Sequence, residues 1–119
     1  MNEILIVDDS PILRKKLRAF LELDSWEVCG EAENGEIAIE QVRKLKPAIV
    51  IMDLAMPVMN GLDAARRIAS IAPETITVLF TMHDCRGLAR EMKAAGIKDV
   101  LSKAEGPDKL LTSLKTLMQ

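Results

Sequence analysis

The sequence predicts an α/β fold in which five βα units wind a single parallel sheet. Two observations carry this reading. Apolar runs of strand length alternate with stretches of helical period along the whole chain. Three of those runs, ILIV, AIVIM and ITVLF, are almost continuously apolar, as strands must be when helices cover both faces of the sheet. The length of 119 residues suits one domain, residues 1–119, which on folding buries roughly two-thirds of the surface of its unfolded chain.

The first strand is read over Glu3 to Val7, and its helix follows Ser10-Pro11, a capping residue before a proline at the first helical position. Leu13, Leu17, Phe20 and Leu21 recur at helical spacing and turn inward, with Arg14, Lys15 and Arg18 on the charged face. The second strand spans Trp26 to Glu31. Its helix opens at Asn34-Gly35, buries Ala38, Val42 and Leu45, and stops before Pro47, because a residue preceding proline is pushed out of the helical region. The third strand, Ala48 to Met52, leads to a helix that opens at Asn60-Gly61 and buries Leu62, Ala65, Ile68 and Ala69. Thr75 to Phe80 is the fourth strand; the helix after it carries Leu88, Ala89 and Met92 and ends at Gly96. The fifth strand, Lys98 to Leu101, precedes a helix that begins near Pro107 and turns Leu110, Leu111, Leu114 and Leu117 inward. WEVCGE alternates and KDVL is short and charged, so the second and fifth strands are expected at the edges. That placement is the flavodoxin-like doubly wound order 2-1-3-4-5.

Composition narrows the function. Sixteen basic and 18 acidic side chains give a formal charge of -2, with no long block of either sign, so the segment is not expected to bind nucleic acid directly or to lie on an anionic membrane. No apolar stretch nears the roughly 20 residues of a membrane span, and MNEILIVDDS does not read as a signal peptide. Cys29 and Cys85 match no zinc spacing and are expected as reduced thiols of a cytoplasmic protein.

In the predicted order the connections reverse direction between the first and third strands, and open α/β sheets bind ligands outside the carboxyl ends of the strands at such a point. Asp8 and Asp9 follow the first strand and Asp53 the third, so three carboxylates should meet there. Their repulsion calls for a cation. Mg²⁺ suits them, since it accepts a few carboxylates, keeps several waters and favours sites completed by a phosphate. Thr81 and Lys103 follow the fourth and fifth strands and offer a hydroxyl donor and a point charge for phosphoryl oxygens. Taken singly, each residue has a plainer role: Asp8-Asp9-Ser10 serves equally well as a helix cap, Asp53 as a loop residue, and Lys103 as a surface lysine. Their joint placement on one edge of the sheet points to phosphate chemistry.

The strings ILIVDDSP, IVIMDLAMPVMNGLDA, VLFTMHD and the Lys103 that closes VLSK resemble the receiver domain of two-component response regulators over essentially the whole length. The resemblance implies that Asp53 is the phosphoacceptor, fed by a histidine kinase or phosphotransfer protein, and that the chain catalyses only its own phosphoryl transfer and dephosphorylation. It implies that Asp9, Asp53 and the Ala55 carbonyl bind Mg²⁺ directly, Asp8 through water, and that Thr81 and Lys103 hold the phosphoryl oxygens. Pro57 and Gly61 would shape the loop, glycine taking a backbone conformation unfavourable for other residues. Output would leave through the face of the fourth helix, fifth strand and fifth helix toward an effector domain or partner protein; a homodimer stays open, as does an output domain beyond Gln119. Three positions depart from the family pattern: Val100 replaces the usual aromatic, Ala104 the proline after the lysine, and Met82 a small residue after the threonine. Two other readings stand beside this one. A phosphatase with an aspartate nucleophile would need a second aspartate at position 55, where this chain has Ala55. A pseudo-receiver that only binds a partner would have lost an acid or the lysine.

Overall fold

The computed structural model describes residues 2–119. Strands β1 (Glu3–Val7), β2 (Glu27–Ala32), β3 (Ile49–Met52), β4 (Ile76–Thr81) and β5 (Ile97–Ser102) form one parallel sheet in the order β2-β1-β3-β4-β5, as the sequence predicts. Helices α1 (Pro11–Leu23), α2 (Gly35–Leu45), α3 (Gly61–Ile71), α4 (Ala89–Ala94) and α5 (Pro107–Leu117) follow the strands in turn.

Alternation along the strands sends successive side chains to opposite faces, and each face carries its own core. Ile4, Ile6, Ile51 and Val78 pack with Leu17 and Leu21 of α1 and with Leu110 and Leu114 of α5. On the other face Leu5, Val7, Val50 and Leu79 pack with Val42 of α2, Ile68 of α3 and Met92 of α4.

Helices α1, α2 and α3 carry side-chain caps at their starts. Ser10, Asn34 and Asn60 accept hydrogen bonds from the backbone N–H groups of Leu13, Ile37 and Asp63 at 3.2, 2.9 and 2.9 Å. Helix α2 ends with Lys46 in the left-handed region at φ 48°, which turns the chain before Pro47.

Four details differ from the sequence reading. Leu45 remains half exposed, lying over the edge strand at Gly30 rather than in the core. Ala64, not Ala69, completes the buried stripe of α3. The fourth helix is shorter than expected, because Arg86–Leu88 forms a 3-10 turn and Ala89 is exposed. In β2 the register with β1 shifts between Ile4 and Leu5, which leaves Cys29 as an extra, bulged residue. Plain alternation would place Val28, Gly30 and Ala32 on one face. With the bulge, Val28 packs on the α1 side, Ala32 on the α2 side, and Glu31 reaches the arginines of α1.

Candidate functional site

Three strand tips converge at the carboxyl edge of the sheet. The Asp8 N–H donates to the Ala32 carbonyl and the Asp53 N–H to the Val7 carbonyl, both at 3.0 Å, so the ladder continues one residue past β1 and β3 and fixes where these carboxylates emerge. Carboxylate oxygens of Asp8, Asp9 and Asp53 all lie within 4.8 Å of one another. Asp8 and Asp53 are buried, at 3% and 8% exposure, whereas Asp9 is open to solvent.

Lys103 reaches into this group from the end of β5. Its Nζ donates to Asp8 Oδ2 at 2.7 Å and to Asp53 Oδ2 at 3.0 Å. Burial pushes the Asp8 carboxyl above its ordinary range against the pull of the Lys103 ammonium. Burial also works against the charged ammonium, but hydrogen bonds to the two carboxylates outweigh it and hold Lys103 above the usual lysine range. The remaining oxygens of the buried acids face backbone donors: Asp8 Oδ1 accepts from the Ser10 N–H at 2.9 Å and Asp53 Oδ1 from the Leu54 N–H at 2.7 Å.

One ammonium against three formal carboxylate charges leaves the cluster an excess of two negative charges. Hard oxygen ligands, an open side at Asp9 and uncompensated charge are what a small divalent cation requires, so the residues fit Mg²⁺. Ala55 stands exposed in the loop two residues beyond Asp53.

Thr81 is buried, at 1% exposure, at the end of β4, its Oγ1 accepting from the His83 N–H at 3.2 Å. Beyond it a groove of about 720 Å³ opens between the β4–α4 connection and β5, lined by Thr81, Met82, Cys85, Met92, Val100 and Leu101. Met82, 66% exposed, rims this groove and takes no part in the core.

The loop from Asp53 to Gly61 is held against the site by backbone contacts. The Gly61 N–H donates to the Leu54 carbonyl at 2.7 Å, and a Cβ on Gly61 would stand 2.2 Å from the Asp53 carbonyl oxygen. Glycine is therefore required at 61 by close approach. The positive φ belongs to Val58, at 69°, where a Met59 N–H to Pro57 carbonyl bond of 2.7 Å closes a γ-turn.

Asp8, Asp9, Asp53 and Lys103, expected at one edge of the sheet, are neighbours there, whereas Arg14 and Arg18, read from the sequence only as part of the charged face of α1, have a specific partner. Both clasp Glu31: Arg14 Nε meets Oε1 at 2.9 Å and Arg18 Nε meets Oε2 at 2.8 Å. Arg14 Nη1 also donates to the Asp8 carbonyl at 2.5 Å. No periodicity signals this contact, because the bulge at Cys29 decides which way Glu31 points.

Residues 4–115 match the family model described as the response regulator receiver domain. The chain is 37% identical over 113 residues to the chemotaxis protein CheY of Thermotoga maritima, a match covering 95% of this chain and 94% of that one. It is 38% identical over 107 residues to a protein-glutamate methylesterase/protein-glutamine glutaminase of Hahella chejuensis, covering 88% of this chain but only 31% of that longer protein. A two-component response regulator of the LuxR family from Aurantimonas superposes with a TM-score of 0.91 at 30% identity, covering 97% of this chain and 83% of that one.

Proposed function

Because the chain belongs to the response regulator receiver family, a phosphorylatable switch of two-component signalling, we propose that Asp53 is its phosphoacceptor and Asp8, Asp9 and Asp53 its Mg²⁺ site. The observation that carries this reading is the pairing of Lys103 with both Asp8 and Asp53 inside a cluster of three carboxylates. Asp53 and Asp9 would hold Mg²⁺ directly with the Ala55 carbonyl, and Asp8 through water. Bound there, the ion would neutralise charge on the transferring phosphoryl group.

The chain's own residues do the rest. An Asp53 carboxylate oxygen attacks phosphorus; the new P–O bond forms as the P–N bond to a donor phosphohistidine breaks, and the electron pair leaves with the imidazole. Lys103, now shared between Asp8 and Asp53, shifts to a phosphoryl oxygen, and the Thr81 hydroxyl supplies another donor. The buried side of Asp53 is closed to water, so the donor approaches from the Asp9 side. The donor is a histidine kinase or phosphotransfer protein, and water later hydrolyses the acyl phosphate; the chain turns over no outside substrate. Residues 1–119 act as one receiver domain. The output surface is the face of α4, β5 and α5, toward an effector domain or partner protein, with a homodimer through that face as one form of output.

No helix among the described residues is long and apolar enough to cross a membrane. Cys29 and Cys85 are free thiols, which supports a cytoplasmic setting. A phosphatase acting on external esters lacks support at Ala55, and a pseudo-receiver would not retain the full set of acids and lysine. Acetyl phosphate with Mg²⁺ tests the assignment: intact mass should show one added phosphoryl group that Asp53→Asn abolishes. Equal labelling of Asp53→Asn would refute it.

A further inference from the structure

We infer that Arg14 is a positioning residue for the acidic cluster, held in place by Glu31 and acting through the Asp8–Asp9 peptide. This inference rests on reading the cluster as a Mg²⁺ site. Asp8 sits just past the last β1–β2 pair, Val7 with Ala32, and just before the Ser10 cap of α1. Its N–H still reaches Ala32, but its carbonyl belongs to neither ladder nor helix and accepts from Arg14 Nη1 at 2.5 Å. That carbonyl shares a peptide plane with the Asp9 N–H. Holding that plane fixes ψ at Asp8 and φ at Asp9, the two torsions that set where the Asp9 backbone presents its side chain.

Asp9 needs such a constraint. Its carboxylate is exposed and takes no hydrogen bond or ion pair among the described residues, so only its backbone places it within 4.8 Å of the other two. Arg14 is itself well fixed. Its side chain is 16% exposed, its Nε is tied to Glu31 Oε1, and Glu31 Oε2 is tied in turn to Arg18, whose Nη1 leans on the Val28 carbonyl at 3.4 Å. The bulge at Cys29 aims Glu31 at α1, so an irregularity in the edge strand serves the site one strand away.

A guanidinium near a cation site has two effects of opposite sign, and they separate the possibilities. As a charge alone, Arg14 repels Mg²⁺ and its removal tightens binding. As a positioning group neutralised by Glu31, its removal loosens binding, and loss of a group that orients a metal ligand typically costs about 10-fold or more in metal affinity.

The experiment is a Mg²⁺ titration of the full chain, followed by the Asp9 amide resonance well below the melting temperature, which is recorded separately without metal. Arg14→Met should raise the half-saturating Mg²⁺ about 10-fold over the parent, a ratio that changes little with ionic strength although salt weakens binding in both chains. Glu31→Gln keeps the donors of Arg14 but leaves its charge uncompensated, so its deficit relative to the parent should narrow in high salt. If Arg14→Met does not fold, Arg14→Lys decides: it keeps the positive charge but not the guanidinium fork that spans Glu31 and the Asp8 carbonyl, so weaker Mg²⁺ binding there cannot come from charge. Unchanged or tighter Mg²⁺ binding in the variant overturns the positioning role while leaving the site reading intact. Failure of the parent chain to bind Mg²⁺ at all overturns both.

Discussion

A single hydrogen on Gly61 decides whether the loop after Asp53 can close. A methyl group at that position would meet the backbone oxygen of Asp53 rather than a flexible side chain, so the loop or strand β3 must move to admit it. Gly61→Ala should destabilise the chain by about 1–3 kcal/mol, the usual cost of forced overpacking, read as a lower urea midpoint with unchanged slope. It should also slow labelling of Asp53, because the strain falls on the residue proposed to accept the phosphoryl group. A fully stable Gly61→Ala chain with normal labelling would show that the loop relaxes freely. Glycine at this place was visible in the sequence, but its reason was not: conformational freedom is the usual explanation, and here the cause is contact between backbones brought together by the fold. Val58, a β-branched residue, takes the positive φ instead.

At the scale of elements, β1, β3 and β4 were legible because each is an apolar run that ends in a polar residue, and a parallel sheet delivers those ends to one edge. The edge strand β2 was less legible. Its bulge resets the alternation after Val28, so a count by twos assigns Glu31 to the wrong face and hides the clasp by Arg14 and Arg18. Helix α4 was overdrawn because Leu88 and Ala89 lie at helical spacing from Met92 while the chain enters through a 3-10 turn. The clasp makes a prediction about pH. Partial burial would raise the Glu31 carboxyl, but hydrogen bonds from the two guanidiniums outweigh it and hold it below its ordinary value of 4.5. A carboxyl depressed by folding adds stability above its unfolded pKa and loses it as pH falls through the folded one. The parent should therefore exceed Glu31→Gln in stability near neutral pH by on the order of 1 kcal/mol, since both partners keep some contact with water. The gap should shrink below pH 4.5 and vanish in stronger acid. A pH-independent gap in urea midpoints would mean that Glu31 contributes through packing alone.

For the molecule as a whole, the question is how a phosphoryl group on Asp53, the proposed acceptor, would alter a distant surface. Thr81 and Lys103 are the two proposed phosphate contacts carried by β4 and β5, and the groove behind Thr81 gives the β4–α4 connection room to move. Val100 lies on β5 opposite Leu79 and faces that groove, but it is small and stiff about its first torsion, so a large side-chain swing is not available to it. The conformational change should therefore travel through Thr81 and the connection that follows, whose present anchor is the His83 N–H on the Thr81 hydroxyl. A ligand shifts such an equilibrium only by its differential affinity for the two states, and moving it from 1:99 to 99:1 takes about 5.5 kcal/mol. The most direct measurement is a map of backbone amide shifts when beryllofluoride, a phosphoryl mimic, is added with Mg²⁺. Thr81 to Gly96 should shift more than Gly35 to Leu45, and Thr81→Ala should keep its Mg²⁺ response while the remote shifts shrink. Equal perturbation of both segments, or a full remote response in Thr81→Ala, would contradict this.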